Sequence, residues 1–145
     1  MKKILFFTLA VVALLTVGCK KEETIQQDLL IGHWAAPSHY GPGNINFVFQ
    51  STACSDKPEM CWGYQWDEGN DVQESDVTSH SEDHNDPGWF GWKVNEDKTS
   101  LWTLSRTGSG GWGETYAKYT ISNFSATSMT LNDGGDGIYE LKKQN

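Results

Sequence analysis

The amino-acid sequence predicts an all-β protein: a small antiparallel up-and-down barrel of about eight strands, lipocalin-like and preceded by a cleaved signal peptide. Apolar and polar residues alternate with a period of two in several short segments, which is typical of strands with one buried face. The connections between these segments are mostly of hairpin length and rich in turn residues. A two-layered sandwich is the main alternative, and the sequential short turns favour the barrel.

Residues 1–18 are interpreted as a signal peptide. A basic head, Met1 to Lys3, precedes an apolar run of 14 residues from Ile4 to Val17. A membrane-spanning helix needs about 20 apolar residues, so this run is too short for one and indicates export instead. The polar residues 19–28 are expected to be a flexible tether, followed by one barrel domain at 29–145.

The signal peptide ends in Thr16-Val17-Gly18-Cys19, a small residue followed by cysteine. This arrangement resembles the lipobox of bacterial lipoproteins, with Thr16 where that family prefers leucine. The resemblance implies that Cys19 is lipidated and becomes the mature N-terminus. The run Lys20-Lys21-Glu22-Glu23 resembles the charged tag that sends some lipoproteins of Gram-negative bacteria to the cell surface; a solvated linker is the alternative. A lipid anchor in the outer membrane or at the cell surface is expected.

Composition excludes one class of partner. Without residues 1–18, nine basic residues face 19 acidic ones, a net charge of −10, and Arg106 is the one arginine. Nucleic-acid binding depends on clustered lysine and arginine, so no nucleic-acid partner is expected.

Cys54 and Cys61 remain as an even pair when Cys19 is set aside. In an exported protein such a pair favours a disulfide, here closing the loop from Ser55 to Met60. Zinc is the alternative, but two thiols without a second pair of ligands make a poor structural site. Closing so short a loop would contribute on the order of 2 kcal/mol at most.

The strands are predicted in order. Leu29 to Ala35 is the opening strand, and the proline- and glycine-rich run from Pro37 to Gly43 allows only a loop. Strand-forming aromatic and β-branched residues at alternating positions, bounded by turn residues, predict the rest. The seven further strands are placed at 45–50, 62–67, 89–95, 99–106, 115–121, 129–132 and 138–142.

Residues 67–87 interrupt the strands. This acidic loop has 21 residues, with eight acids, two histidines and neither lysine nor arginine. Loops this long are functional or disordered, and the composition favours a solvated flap. On a helix His80 and His84 could seat a transition metal, and Asp67 to Asp71 is rich in oxygen ligands for calcium. Pro87 argues against the helix and the acids do not match a calcium-loop pattern, so no metal and no cofactor is expected.

The Gly32-His33-Trp34 triplet resembles the Gly-x-Trp motif of the lipocalin and wider calycin group, and the run from Tyr119 to Asn132 resembles the last hairpins of short bacterial lipocalin-like lipoproteins. The resemblance implies an eight-stranded barrel with the tryptophan plugging one end. In that family a basic side chain from a late strand packs on this tryptophan. Here Lys142 or Lys143 would have to supply it.

Ten aromatic side chains are predicted to point into the barrel. Side chains can fill such an interior, or it can hold one small ligand. Ten aromatics burying ~150–250 Å² each favour a filled core, and a ligand cup is the competing interpretation. Besides Phe90 and Tyr119, the ten include eight candidate ligand-binding residues: Trp34, Phe47, Phe49, Trp62, Tyr64, Trp66, Trp92 and Trp102. The mouth of a cup is expected at Trp62, Tyr64 and Trp66.

These observations predict a non-catalytic binding module for a small apolar or amphipathic molecule. The sequence has no Gly-x-Ser-x-Gly elbow, phosphate loop or His-Glu-x-x-His motif, so an enzyme is not expected. The alternative is an accessory surface protein whose filled barrel binds a protein or glycan partner through the acidic loop, with Trp112 and Trp89 as platforms for a sugar ring. A metal-assisted hydrolase at His80 and His84 is a third hypothesis.

Overall fold

The computed structural model describes residues 24–78, 84, 88–107 and 110–145. Eight antiparallel strands form one closed barrel in which each strand pairs with the next along the chain and the last pairs with the first. The predicted up-and-down barrel is therefore confirmed, and a two-layered sandwich is excluded. The strands are β1 (Gly32–Pro37), β2 (Asn44–Ala53), β3 (Cys61–Asp67), β4 (Trp89–Val94), β5 (Ser100–Ser105), β6 (Ala117–Ser122), β7 (Ser128–Asn132) and β8 (Ile138–Lys143).

Two short helices and one 3-10 turn accompany the strands. Helix α1 (Gln27–Leu30) precedes β1, and the 3-10 turn (Glu68–Asn70) and α2 (Glu74–Thr78) lie between β3 and β4. Helices of four or five residues are too short to show an apolar stripe, which is why the sequence did not reveal them. None of the helices described here is long and apolar enough to cross a membrane.

The antiparallel order gives the barrel two distinct ends. The helix end carries α1, the start of β1, the end of β8 and the connections that follow β2, β4 and β6. The loop end carries the connections that follow β1, β3, β5 and β7. Because the last strand pairs with the first, the closed sheet has no free edge to protect.

Trp34 seals the helix end. Its ring is fully buried, and its Nε1 donates a hydrogen bond to the Leu30 carbonyl at 2.7 Å. The Lys143 Nζ lies 5.2 Å from the centroid of the Trp34 ring and donates to the Leu29 carbonyl at 3.0 Å. Of the two lysines considered for this position, Lys143 occupies it. Gly32 leaves room for that lysine: its φ is +130°, and a Cβ there would come within 2.7 Å of the Lys143 Cε.

The packed structure begins earlier than the sequence predicts. The opening strand starts at Gly32 rather than Leu29, because Leu29 and Leu30 belong to α1. Ile25, placed within the tether at 19–28, is 1% exposed, and its N–H donates to the Lys98 carbonyl at 2.9 Å. One apolar residue among polar neighbours gave no periodic signal. Residues 24–28 therefore form part of the helix end, whereas the predicted lipidation site Cys19 and the predicted signal peptide at 1–18 lie outside the described residues.

The apolar core occupies two layers. The inner layer fills the barrel and includes six of the ten aromatics predicted to point inward, which are Trp34, Phe47, Phe49, Phe90, Trp92 and Tyr119. The outer layer packs on the outside of β3 and β4 and includes Trp62, Trp66, Trp89, Met60 and Leu104, with Tyr64 and Trp112 partly buried against it. The barrel wall at β3 and β4 is consequently apolar on both faces.

The inward orientation predicted for Trp62, Tyr64, Trp66 and Trp102 is wrong. Gly63 and Gln65 face the interior instead, since a Cβ at Gly63 would come within 2.5 Å of the Phe90 ring. Period-two alternation shows that 62, 64 and 66 share a face, but it does not say which face is inside. Trp102 lies on the outer wall between Lys93 and Lys118, with its ring 5.8 Å from Tyr116.

Candidate functional site

The barrel interior contains a small chamber toward the loop end. Its volume is about 90 Å³, and it is bordered by residues at the loop ends of β3, β4, β5 and β6. The lining residues are Phe47, Phe49, Gln65, Gly88, Trp89, Phe90, Leu101, Thr103, Ser105, Ala117, Tyr119 and Leu131.

Aromatic rings form the apolar side of this chamber. The Phe49 ring stacks on Phe47 with their centroids 6.4 Å apart, and it meets Phe90 edge-on at 5.9 Å. Below them the Trp92 ring lies 5.4 Å from Phe49 and donates from Nε1 to the Trp62 carbonyl at 2.8 Å. One parallel and two edge-to-face contacts thus hold these rings together, and their packing sets the size of the space that remains.

Hydroxyl groups form the polar side. Thr103, Ser105 and Tyr119 line the chamber from β5 and β6. Burial raises the pKa of Tyr119 and nearby negative charge raises it further, while a hydrogen bond with Thr103 acts in the opposite direction. The phenol is therefore protonated at neutral pH and available as a hydrogen-bond donor.

The size of the chamber restricts what it can hold. Pockets for drug-sized ligands have volumes of roughly 300–1,000 Å³, and an engineered cavity of about 150 Å³ binds benzene. The chamber, at about 90 Å³, is smaller than either and has room for a few water molecules. An acyl chain or a fused-ring molecule does not fit it.

The eight candidate ligand-binding residues do not form one site. Phe47 and Phe49 line the chamber, while Trp34 and Trp92 are buried in the core away from it. Trp62, Tyr64, Trp66 and Trp102 lie outside the barrel wall, so no cup mouth exists at 62–66. The sequence did not single out Thr103 and Ser105, because short hydroxyl side chains in a strand carry no distinctive signal.

An aromatic stack covers the outer face of β3 and β4. The Trp62 ring lies between His84, at 4.2 Å and 6° between planes, and Trp112, at 5.3 Å and 13°. The guanidinium carbon of Arg106 lies 4.7 Å from the Trp112 ring centroid and 5.5 Å from that of Trp62. The single arginine of the chain thus serves a packing role in this layer.

Asp56 fixes the edge of this stack. Its Oδ2 accepts a hydrogen bond from the Trp112 Nε1 at 2.8 Å and lies 3.4 Å from the Arg106 Nη1. Desolvation acts to raise the pKa of Asp56, but the hydrogen bond from Trp112 and the charge of Arg106 outweigh it, and the pKa lies below its usual value. The β2–β3 connection is thereby tied to the β5–β6 connection.

Trp89 and Trp112, the two candidate sugar platforms, both pack in the outer layer. Trp89 is 3% exposed and donates from Nε1 to the Val77 carbonyl at 2.9 Å. Trp112 packs against Gly91, where a Cβ would come within 3.1 Å of its ring. The expectation of an exposed indole is therefore wrong for Trp89, whereas Trp112 is partly buried.

The described part of the acidic loop packs on the barrel rather than forming a solvated flap. Val77 is buried in the outer layer and Val72 packs against it. The Tyr64 hydroxyl donates to the Glu74 Oε1 at 2.9 Å, and burial together with this carboxylate raises the pKa of Tyr64 to about 12. These two isolated valines, which the sequence offered no pattern to interpret, attach α2 to β3.

The metal hypotheses gain no support. His80 lies outside the described residues, and within those residues no group of three or more histidine, cysteine, aspartate or glutamate side chains is placed to hold a metal ion. In the run considered for calcium, the Asp67 Oδ1 accepts from the Gly69 N–H at 3.0 Å, and the Glu68 Oε2 from the Asn44 N–H at 3.0 Å. These carboxylates shape the turn after β3.

The predicted disulfide is not formed. Cys54 and Cys61 are both free thiols. Cys54 is buried in the outer layer, whereas Cys61 packs against the inner one, and the pairing of β2 with β3 shifts register between Phe49 and Ala53. The two side chains therefore belong to opposite faces of the sheet. Burial raises the pKa of Cys54 to about 12 and also raises that of Cys61, so neither thiol is activated as a thiolate at neutral pH.

The loop end carries an exposed surface of aromatic and aliphatic side chains that the sequence did not predict. Tyr40 is 76% exposed and Ile138 is 52% exposed, and the His39 and Tyr139 rings stack beside them at 5.0 Å and 16°. We call these four residues the rim. Their signal in the sequence is weak, because His39 and Tyr40 lie in a loop of turn residues and Ile138 opens a strand.

Comparisons of the chain with protein-family models, with curated proteins and with solved structures return no match. The function is therefore argued from the geometry of the chamber, the outer layer and the rim.

Proposed function

We propose that this chain is a lipid-anchored, non-catalytic binding protein of the Gram-negative cell envelope, located in the outer membrane or at the cell surface, and that it binds a macromolecular partner at its loop end. The observation that carries the proposal is the chamber volume of about 90 Å³, roughly a third of the smallest usual ligand pocket. A barrel filled by its own aromatics leaves its outer surface for recognition. This supports the accessory-protein hypothesis over capture of an apolar molecule.

The fold indicates which end of the barrel would lie near the membrane. Ile25 is held at the helix end, six residues after Cys19. Six residues of extended chain reach at most about 21 Å, so a lipid on Cys19 would keep the helix end near the membrane. The loop end, at the other end of the barrel, would project away from the bilayer toward a partner.

The anchor is tested by Cys19→Ala in the full chain. The chain with Cys19, which would carry the lipid, is expected in the detergent-soluble membrane fraction. The Cys19→Ala variant is expected in the aqueous fraction. Cys61→Ser is the matched control, because it removes a thiol from the folded domain and leaves the signal sequence intact. Membrane association of the Cys19→Ala variant would contradict the anchor.

The binding surface is tested by photo-cross-linking in cells. Benzoylphenylalanine replaces Tyr40 at the loop end, and in a matched variant it replaces Ser122, which is exposed at the helix end. A covalent adduct of higher mass is expected from position 40 and not from position 122. Equal adducts from both positions, or none from position 40, would remove the support for partner binding at this end.

A second candidate function is capture of a very small amphipathic molecule. The hydroxyls of Thr103, Ser105 and Tyr119 face an apolar wall, which is the usual character of a ligand site. Native mass spectrometry should then show a co-purifying molecule of only a few heavy atoms. Leu131→Phe, which fills the chamber, should abolish it, and retention by that variant would exclude this function.

A further inference from the structure

We infer that the rim and the carboxylates around it bind a basic segment of a polypeptide partner, one rich in lysine or arginine. The inference rests on the proposed function, because it assigns a chemical class to the partner at the loop end. Three observations lead to it: the exposure of the rim, the distribution of charge along the barrel, and the hydrogen-bonding character of the surrounding side chains.

The rim concentrates the exposed apolar surface of the described residues. Tyr40 and Ile138 are the large hydrophobic side chains that stand out as exposed there, and both lie at the loop end. They come from neighbouring parts of the barrel, since Tyr40 follows β1, Ile138 is the first residue of β8, and these two strands are paired. Apolar exposure confined to one end of a filled barrel marks a surface for contact.

Negative charge lies beside the rim. Asp133 and Asp136 precede Ile138 in the β7–β8 connection, and Asp67 and Glu68 lie beside the β1–β2 connection, where the Glu68 Oε2 accepts from the Asn44 N–H. No lysine or arginine lies in the described residues of the connections after β1, β3 and β7, whereas the Lys57 and Lys93 Nζ lie over the Trp112 and Tyr116 rings of the connection after β5. Lys98, Lys142 and Lys143 lie at the helix end instead.

The carboxylates are close enough to act on the rim itself. Burial raises the pKa of Tyr139, and the negative charges of Asp133 and Asp67, together with Tyr40, raise it further. A cationic group at this position would lie against the faces of Tyr40 and Tyr139 while it pairs with the carboxylates. Cation–π contacts and charge-assisted hydrogen bonds would act on the same group.

The chemistry favours a basic peptide over a neutral glycan. Ionised carboxylates only accept hydrogen bonds, whereas a sugar ring offers donors and acceptors and is held by a mixture of both. The acids beside the rim are also spread over two loops, after β3 and β7, which suits an extended chain with several positive charges rather than one small cation. Long-range attraction would increase the association rate at low salt.

Fluorescence anisotropy with a labelled octalysine peptide tests the inference on the detergent-solubilised full chain. Binding is expected, with a Kd that rises about tenfold between about 50 and about 300 mM salt as the charges are screened. Labelled octaglutamate and a neutral oligosaccharide are the other two probes. No octalysine binding, equal binding of octaglutamate, or salt-independent binding of the oligosaccharide would overturn the inference.

Matched variants locate the binding. Tyr40→Ala and Asp136→Asn should each raise the octalysine Kd about threefold. Glu96→Gln removes an exposed carboxylate at the helix end and should leave the Kd unchanged, with circular dichroism confirming that each variant is folded. If Glu96→Gln raised the octalysine Kd equally, the peptide would be attracted non-specifically to negative charge, and the assignment of the binding site to the rim would be wrong. A partner cross-linked at position 40 that lacks a basic segment would refute this inference and leave the proposed function standing.

Discussion

Lys143 shows how one side chain can close a barrel. Its Nζ caps the Leu29 carbonyl while its charge lies over the Trp34 ring, so it joins β8 to α1 across the plug. Lys142, its neighbour, points to solvent. The pair therefore offers two adjacent lysines with opposite structural roles.

Lys143→Met should lower the free energy of unfolding by about 1–3 kcal/mol, because the partly buried Leu29 carbonyl loses its donor and the Trp34 ring loses its cation. Lys142→Met is the control and should change it by less than about 0.5 kcal/mol. Urea denaturation measures both values. Equal effects of the two substitutions would show that Lys143 has no special role at the helix end.

Asp56 gives the outer layer a predicted pH dependence. Its pKa is lowered in the folded chain from an ordinary value of 3.8, so its contribution is present above that pH and lost as the pH falls through the folded-state pKa. The difference in unfolding free energy between the unsubstituted chain and Asp56→Asn should shrink below pH 3.8. Urea titrations from pH 7 downwards measure it, with Ser55→Ala as a neighbouring control that adds no titrating group. A difference independent of pH would contradict the contact with Trp112 and Arg106.

At the scale of elements, the β2–β3 hairpin determines the state of the cysteines. Its register shift separates Cys54 from Cys61, so a reducing agent should leave the melting temperature unchanged. Both thiols should react with maleimide slowly in the folded chain and rapidly in denaturant, because burial keeps them protonated. Mass spectrometry counts the labelled thiols. A lower melting temperature after reduction would mean that the two cysteines are bonded.

The same hairpin shows where prediction from sequence succeeds and where it ends. Alternation at 45–49 and 90–94 gave both the strands and the face that points into the barrel, because the aromatic side chains at 47, 49, 90 and 92 belong to the inner layer. At 62–66 it gave the strand but the wrong face, because Trp62, Tyr64 and Trp66 are covered by distant segments, α2 and the residues around Trp112. Period-two alternation does not show which face of a strand will be buried by distant segments of the chain.

The candidate site was less predictable than the strands. The chamber volume depends on how Phe47, Phe49 and Phe90 interlock, and composition does not specify ring orientation. The rim depends on which loops meet at one end, which becomes clear only when β1 is known to pair with β8. Trp34 could be assigned as the plug because it lies in a short motif with a recognisable resemblance.

At the scale of the whole molecule, the helix end makes the residues before β1 part of the fold. Ile25→Ser should lower the free energy of unfolding by about 2–4 kcal/mol, since it removes a buried side chain and places a hydroxyl among apolar atoms. Gln26→Ser, at the exposed next position, is the control. Equal stability of the two variants would restore the view that this segment is only a tether.

Because the wall at β3 and β4 is packed on both faces, the two sides of the barrel should differ in how well they tolerate amino-acid substitutions. At β3 and β4 both faces are occupied, by the interior and by the cover of tryptophans, so almost every position there is constrained by a neighbour. On β6, β7 and β8 the outward side chains are mostly exposed. Amino-acid substitutions should therefore be tolerated more often on the side of the barrel formed by β6, β7 and β8 than on the side formed by β3 and β4.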